Sequence, residues 1–150
     1  MTANQAFDIL NLVALGAWGL LVLSPWLPRW TRAVTGAAVP ALFAAAYVAI
    51  VATNWLGSDG GFSSLSGVAA LFSNPWILLA GWIHYLAFDL LVGNWEMQDA
   101  RTRGIPYVLV LPCLVLTFLF GPAGWLLYGI VRSTRSPSAV LGDRESALQG

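Results

Sequence analysis

The chain of 150 residues is 58% hydrophobic and 9% charged, with seven arginines, no lysine and seven acids giving a formal net charge of zero. Soluble domains carry about 25% charged residues, so this composition excludes an ordinary soluble domain and points to an integral membrane protein. With no basic block, neither nucleic acid nor an anionic membrane surface is expected as an electrostatic partner.

Four apolar stretches are long enough for spans of roughly 20 residues: 7–27, 34–56, 75–95 and 105–131. The predicted fold is therefore all-α, an integral membrane bundle of four transmembrane helices in one domain, 1–136, followed by a flexible polar tail, 137–150. The first stretch lacks a basic flank and runs into Ser24-Pro25-Trp26 without a small-residue cleavage pattern, so it is expected to stay as a helix rather than act as a signal peptide. Gly16 and Gly19 within it predict close helix packing. Pro40 and Pro112 are expected to kink the second and fourth helices. Trp26, Trp30, Trp55, Trp76 and Trp95 fall near predicted helix ends, where indole rings anchor at the headgroup level.

Between the second and third spans, Gly57 to Ser64 is turn-rich, and Leu65 to Phe72 is expected to form a short amphipathic helical turn. Ser73-Asn74-Pro75 then reads as a cap followed by proline in the first helical turn. Arg29, Arg32, Arg101 and Arg103 place two short loops on the cytoplasmic side and the long loop outside, but Arg132, Arg135 and Arg144 after a fourth span break that rule. A break of the last helix at Gly121-Pro122-Ala123-Gly124 would return those arginines to the cytoplasmic side.

The third span carries the chemistry. It holds His84, the only histidine, and Asp89, and the stretch Trp82 to Asp99 that runs past its end carries three of the seven acids. Ionisable groups at membrane depth cost several kcal/mol, so they are kept where they pair, face a bundle interior or act. Trp82, Tyr85, Asp89 and Glu96 fall on one face, with Asp99 a turn further on; His84 starts a neighbouring stripe, roughly 140° around the axis from Asp89. His84 and Asp89 are the proposed acid and base of a dry cleft, with Tyr85, Asp99, Glu96 and Trp82 in support. Asn11, Thr35, Tyr47, Asn54, Thr117 and Tyr128 are the polar residues elsewhere that can partner them, and Arg101 or Arg103 can pair with Glu96 and Asp99. His84, Asp89, Glu96 and Asp99 supply ligand atom types but lack a spacing such as His-x-x-x-His, so neither a metal nor another cofactor is expected. Cys113 reads as a small buried hydrophobe.

The run Leu65-Ser66-Gly67-Val68-Ala69-Ala70-Leu71-Phe72-Ser73, then Trp82-Ile83-His84-Tyr85-Leu86-Ala87-Phe88-Asp89-Leu90 and Asp99, resembles the abscisic-acid-deficient-four family of membrane proteins, which includes plant neoxanthin synthase proteins and bacterial relatives. The likeness extends from the first helix to Cys113 and Gly121-Pro122-Ala123-Gly124, while Glu96 departs from the plant pattern. What the resemblance implies is carotenoid chemistry: isomerisation of the epoxide of violaxanthin to the allenic alcohol of neoxanthin, with no net redox change. For a bacterial member it implies an inner-membrane location and a carotenoid or other isoprenoid substrate, reached laterally from the lipid bilayer. The family hands over no catalytic set, so the roles of His84 and Asp89 rest on their own chemistry. The competing expectation is a non-catalytic pigment- or lipid-binding subunit of a membrane complex, whose polar groups only hold helices together. A small transporter is a third, disfavoured because one histidine and one deep acid offer little pathway. So thin a bundle also suits a homo-oligomer.

Overall fold

A computed structural model describes residues 1–27 and 29–134, all of it helix and connecting turns without a strand; the tail expected at 137–150 lies outside the described residues. The chain divides into two compact units at Leu91 and Val92. The first unit contains α1 (Ala3–Leu23), α2 (Trp30–Gly57), α3 (Leu65–Leu71) and the start of α4 (Pro75–Arg103). The second contains the remainder of α4 with α5 (Tyr107–Phe120) and α6 (Pro122–Thr134).

Three helices, α1, α3 and α4, begin where the sequence supplies a side-chain partner for a free N–H group. Thr2 and Gln5 form a capping box on α1, with bonds of 2.9 and 3.3 Å. The Ser64 hydroxyl accepts from Gly67 N at 3.0 Å to open α3. Asn74 Oδ1 accepts from Trp76 N at 2.9 Å, and Pro75, which has no N–H to satisfy, takes the first position of α4. α4 ends at Gly104, whose φ of +66° favours glycine; Ile105 N bonds Ala100 O at 2.9 Å and Gly104 N bonds Arg101 O at 3.4 Å, the Schellman pattern. α4 therefore runs two turns beyond the span expected at 75–95, because no glycine or proline interrupts Trp95 to Arg103.

In α2 the widened π-helical turn Val34–Ala38 lies just ahead of Pro40, the expected site of disruption, since proline offers no N–H to the preceding turn. Pro112 lies inside α5. The core of the first unit packs Ala6 and Ala14 of α1, Phe43 of α2, and Leu79, Ile83, Leu86 and Ala87 of α4. Alanines, not glycines, allow α1 its close approach. A Cβ added at Gly16 or Gly19 would meet nothing within 4 Å, which corrects the expectation that those two glycines mark a packed seam.

The fourth stretch also differs from expectation. Three helices, α1, α2 and α4, are long and apolar enough to cross a membrane, whereas α5 and α6 have 14 and 13 residues. At 1.5 Å per residue each is about 20 Å long, short of a hydrocarbon core of about 30 Å. The chain folds back at Gly121, whose φ of +36° lies in the left-handed region and whose next residue is proline. Gly124 then lies directly on Thr117, and a Cβ there would overlap the Thr117 backbone. The single fourth span is thus replaced by a helical hairpin broken at Gly121-Gly124, the position where the sequence allowed a break. Gly124→Val is expected to destabilise the protein by about 2 kcal/mol through overpacking. Gly16→Ala is expected to be near neutral, and denaturant unfolding in detergent reads both.

Candidate functional site

Two turns into α4, the helix presents different chemistry on two faces. On one, His84 stacks on Phe88 with ring centroids 4.6 Å apart and lies against Tyr47 of α2 at 5.8 Å. His84 and Tyr47 line an open cavity of about 270 Å³ walled by Val51, Trp55, Phe62, Phe72 and Gly81, among others. The loop before α3 helps to shape it. Gly60, at φ +94°, lies so close to Gly67 that a Cβ would collide with its carbonyl, and Gly61 N bonds Gly67 O at 3.1 Å. That tight approach brings Phe62 onto Trp55, with centroids 5.5 Å apart. Gly81 leaves room for Phe72, since a Cβ there would sit 3.0 Å from the Phe72 ring. His84 is exposed on the cavity wall and Tyr47 half-buried. Among the described residues neither the His84 imidazole nor the Tyr47 hydroxyl makes a hydrogen bond.

The other face carries Trp82, Tyr85 and Asp89. The Trp82 indole donates to Asn11 Oδ1 of α1 at 2.8 Å, its ring lies 5.4 Å from that of Tyr85, and the Tyr85 hydroxyl hydrogen-bonds the Asp89 carboxylate one turn on. Asp89 is 8% exposed, and its Oδ2 is buried with no hydrogen-bond partner among the described residues. A buried acceptor left unmade costs about 1–3 kcal/mol, more for a charged group, so Asp89 is an expensive residue to keep. The helical geometry that separates the two stripes holds. His84 turns to Tyr47, Asp89 to Tyr85, and Asp89 does not line the His84 cavity.

In the second unit, the supporting acids have structural partners. Glu96 is fully buried, and the Thr117 hydroxyl of α5 donates to its two carboxyl oxygens at 3.0 and 3.1 Å. Asp99 accepts from Arg103 at 2.9 Å, as its i,i+4 spacing allowed, and also from Tyr128 at 2.8 Å and Arg132 at 2.9 Å, both of α6. Arg132 further lies 5.9 Å from the centroid of Trp95, whose ring meets Tyr128 edge-on at 5.5 Å. Thr117 and Tyr128 were among the polar residues expected to serve His84 or Asp89; they serve Glu96 and Asp99. The fold-back at Gly121 brings Arg132 onto the same carboxylate as Arg103, so Arg132 no longer raises the conflict of a straight fourth span; Arg135 and Arg144 lie outside the described residues. Sequence reading missed Arg132 because its pairing depends on that hairpin. It also missed Phe62 and Phe72, for which Gly60, Gly67 and Gly81 are the only local signs.

Among the described residues no three His, Cys, Asp or Glu side chains converge as metal ligands. Cys113 is buried and its thiol bonds Leu109 O at 3.3 Å, as suits a small core residue. Long apolar helices, buried acids held by hydroxyls and arginine, and an aromatic cavity define an all-helical membrane protein. The ABA DEFICIENT 4-like family model matches residues 5–128, and the chain belongs to that ABA4-like family. No curated protein and no solved structure matches it. Asp99→Ala is expected to cost about 2 kcal/mol, less than a fully buried pair because Arg132 is 41% exposed. Arg132→Gln is expected to cost under about 1 kcal/mol, and thermal unfolding in detergent separates the two.

Proposed function

We propose that this protein rearranges a carotenoid-like polyene in the membrane by acid/base chemistry, converting an epoxide to an allenic alcohol or performing an equivalent isomerisation without net redox change. The observation that carries the reading is the sole histidine in the wall of an open, aromatic-lined cavity. Small-molecule sites usually run about 300–1,000 Å³, so a cavity of about 270 Å³ suits one end of a long polyene whose remainder lies along apolar helix surface. Exposed apolar side chains such as Leu42, Val48 and Phe88 offer that surface. The chain belongs to the ABA4-like family, and the resemblance to its plant members, which implies carotenoid chemistry, supports the same substrate class.

His84 is the group proposed to take the carbon-bound proton, because an imidazole can accept and release a proton near neutrality. Asp89 was expected to share the work. Since it does not line the cavity, its proposed part is to fix Tyr85, with Trp82, on the opposite face of α4. Glu96 and Asp99 are proposed to hold α5 and α6.

The test is turnover in a host that accumulates violaxanthin or a related epoxide, with allenic products separated by chromatography and mass spectrometry. Wild type is expected to form an allenic alcohol, and His84→Ala to lower its rate by about a hundredfold or more at equal folded yield. Asp89→Asn is expected to lower folded yield more than turnover per folded molecule. A wild-type protein that leaves every epoxide unchanged would contradict the reading and favour a pigment- or lipid-binding subunit.

A further inference from the structure

Resting on the reading of the His84 cavity as a polyene site, we infer that Tyr47 is its second reacting residue: its hydroxyl holds the oxygen of one oxygenated ring end and protonates that oxygen during turnover. Tyr47 and His84 come from different helices, α2 and α4, and their rings lie 5.8 Å apart on the wall of one cavity. Among the described residues, and apart from the indole N–H of Trp55, they are its only lining side chains able to hydrogen-bond. Neither makes such a bond within the described chain, although Tyr47 is half-buried among apolar residues. A half-buried phenol left without a hydrogen bond among apolar residues is costly, and the oxygen of a ligand end supplies the acceptor it lacks. The remaining walls, Val51, Phe62, Leu71, Phe72 and Ile77, suit a methylated hydrocarbon ring.

The step balances with these two residues. The His84 nitrogen takes the proton from the polyene carbon next to the epoxide. That C–H electron pair becomes the second double bond of the allene, and the adjacent C–O bond breaks with its electrons on oxygen. Tyr47 gives its hydroxyl proton to that oxygen, forming the alcohol, and the imidazolium returns a proton to the phenolate. Substrate and product have one formula, and no oxidant or reductant is consumed.

The experiment titrates wild type and Tyr47→Phe in nanodiscs with a monocyclic terpenoid epoxide and with its deoxygenated counterpart, following heat of binding, alongside turnover of the full-length epoxide. Wild type is expected to prefer the epoxide by about tenfold, the worth of one hydrogen bond. Tyr47→Phe is expected to lose that preference with affinity for the hydrocarbon unchanged, and to lower turnover by about a hundredfold. Tyr47→Met, of similar bulk and without the hydroxyl, serves if the first variant does not fold. No preference in wild type, or a preference that survives removal of the hydroxyl, overturns the assignment of Tyr47 whatever the turnover. Preference lost with the hydroxyl in a protein that turns over no epoxide upholds the oxygen contact and sinks the isomerase reading instead.

Discussion

Hydrocarbon offers no hydrogen bonds, so each polar side chain on a membrane-spanning helix is satisfied by the protein itself or by what the protein binds. That constraint concentrates on α4, which carries His84, Asp89, Glu96 and Asp99 through a helix otherwise rich in apolar residues. Most of the other structural features answer to it. Thr117 of α5 lies on Glu96, while Tyr128 and Arg132 of α6 reach Asp99 because the chain folds back at Gly121. The hairpin that replaces a fourth span is thus the means by which the second unit brings Tyr128 and Arg132 to Asp99, while Glu96 meets a residue that precedes the turn.

The same constraint sorts the polar groups by role. Glu96 and Asp99 have hydrogen bonds within the chain, to Thr117 in one case and to Tyr128, Arg103 and Arg132 in the other. His84 and Tyr47 are the reverse case. They face a cavity with no such bonds, beside aromatic walls held in place by backbone-level contacts at Gly60, Gly67 and Gly81. Asp89 stands between the cases, with Tyr85 on its carboxylate and Oδ2 unmatched.

Helices were the legible part of the chain, because long apolar runs and the cap at Ser73-Asn74-Pro75 are local signals. The separation of His84 from Asp89 was legible too, since helical geometry alone sets it. What escaped was long-range. The apolar runs on either side of Gly121 read alike whether they cross a bilayer or fold back, and hydropathy does not distinguish them. Arg132 met Asp99 only through that fold. Gly16 and Gly19 misled because a small residue shows where an approach is permitted, whereas Ala6 and Ala14 are where it occurs. The aromatic walls of the His84 cavity come from a loop, α2 and α3, and no spacing in the sequence links Phe62 and Phe72 to a histidine beyond them.

The central claim is that the cavity beside His84 receives the end of a polyene. The most direct measurement is the visible absorption spectrum, with mass spectrometry of extracted lipids, of protein purified from a carotenoid-producing membrane, compared between wild type and Gly81→Leu. A leucine at Gly81 fills the cavity against Phe72. The account predicts a polyene bound to wild type in near-stoichiometric amount and its loss from a folded Gly81→Leu protein. Equal pigment in both, or none in either, would contradict it.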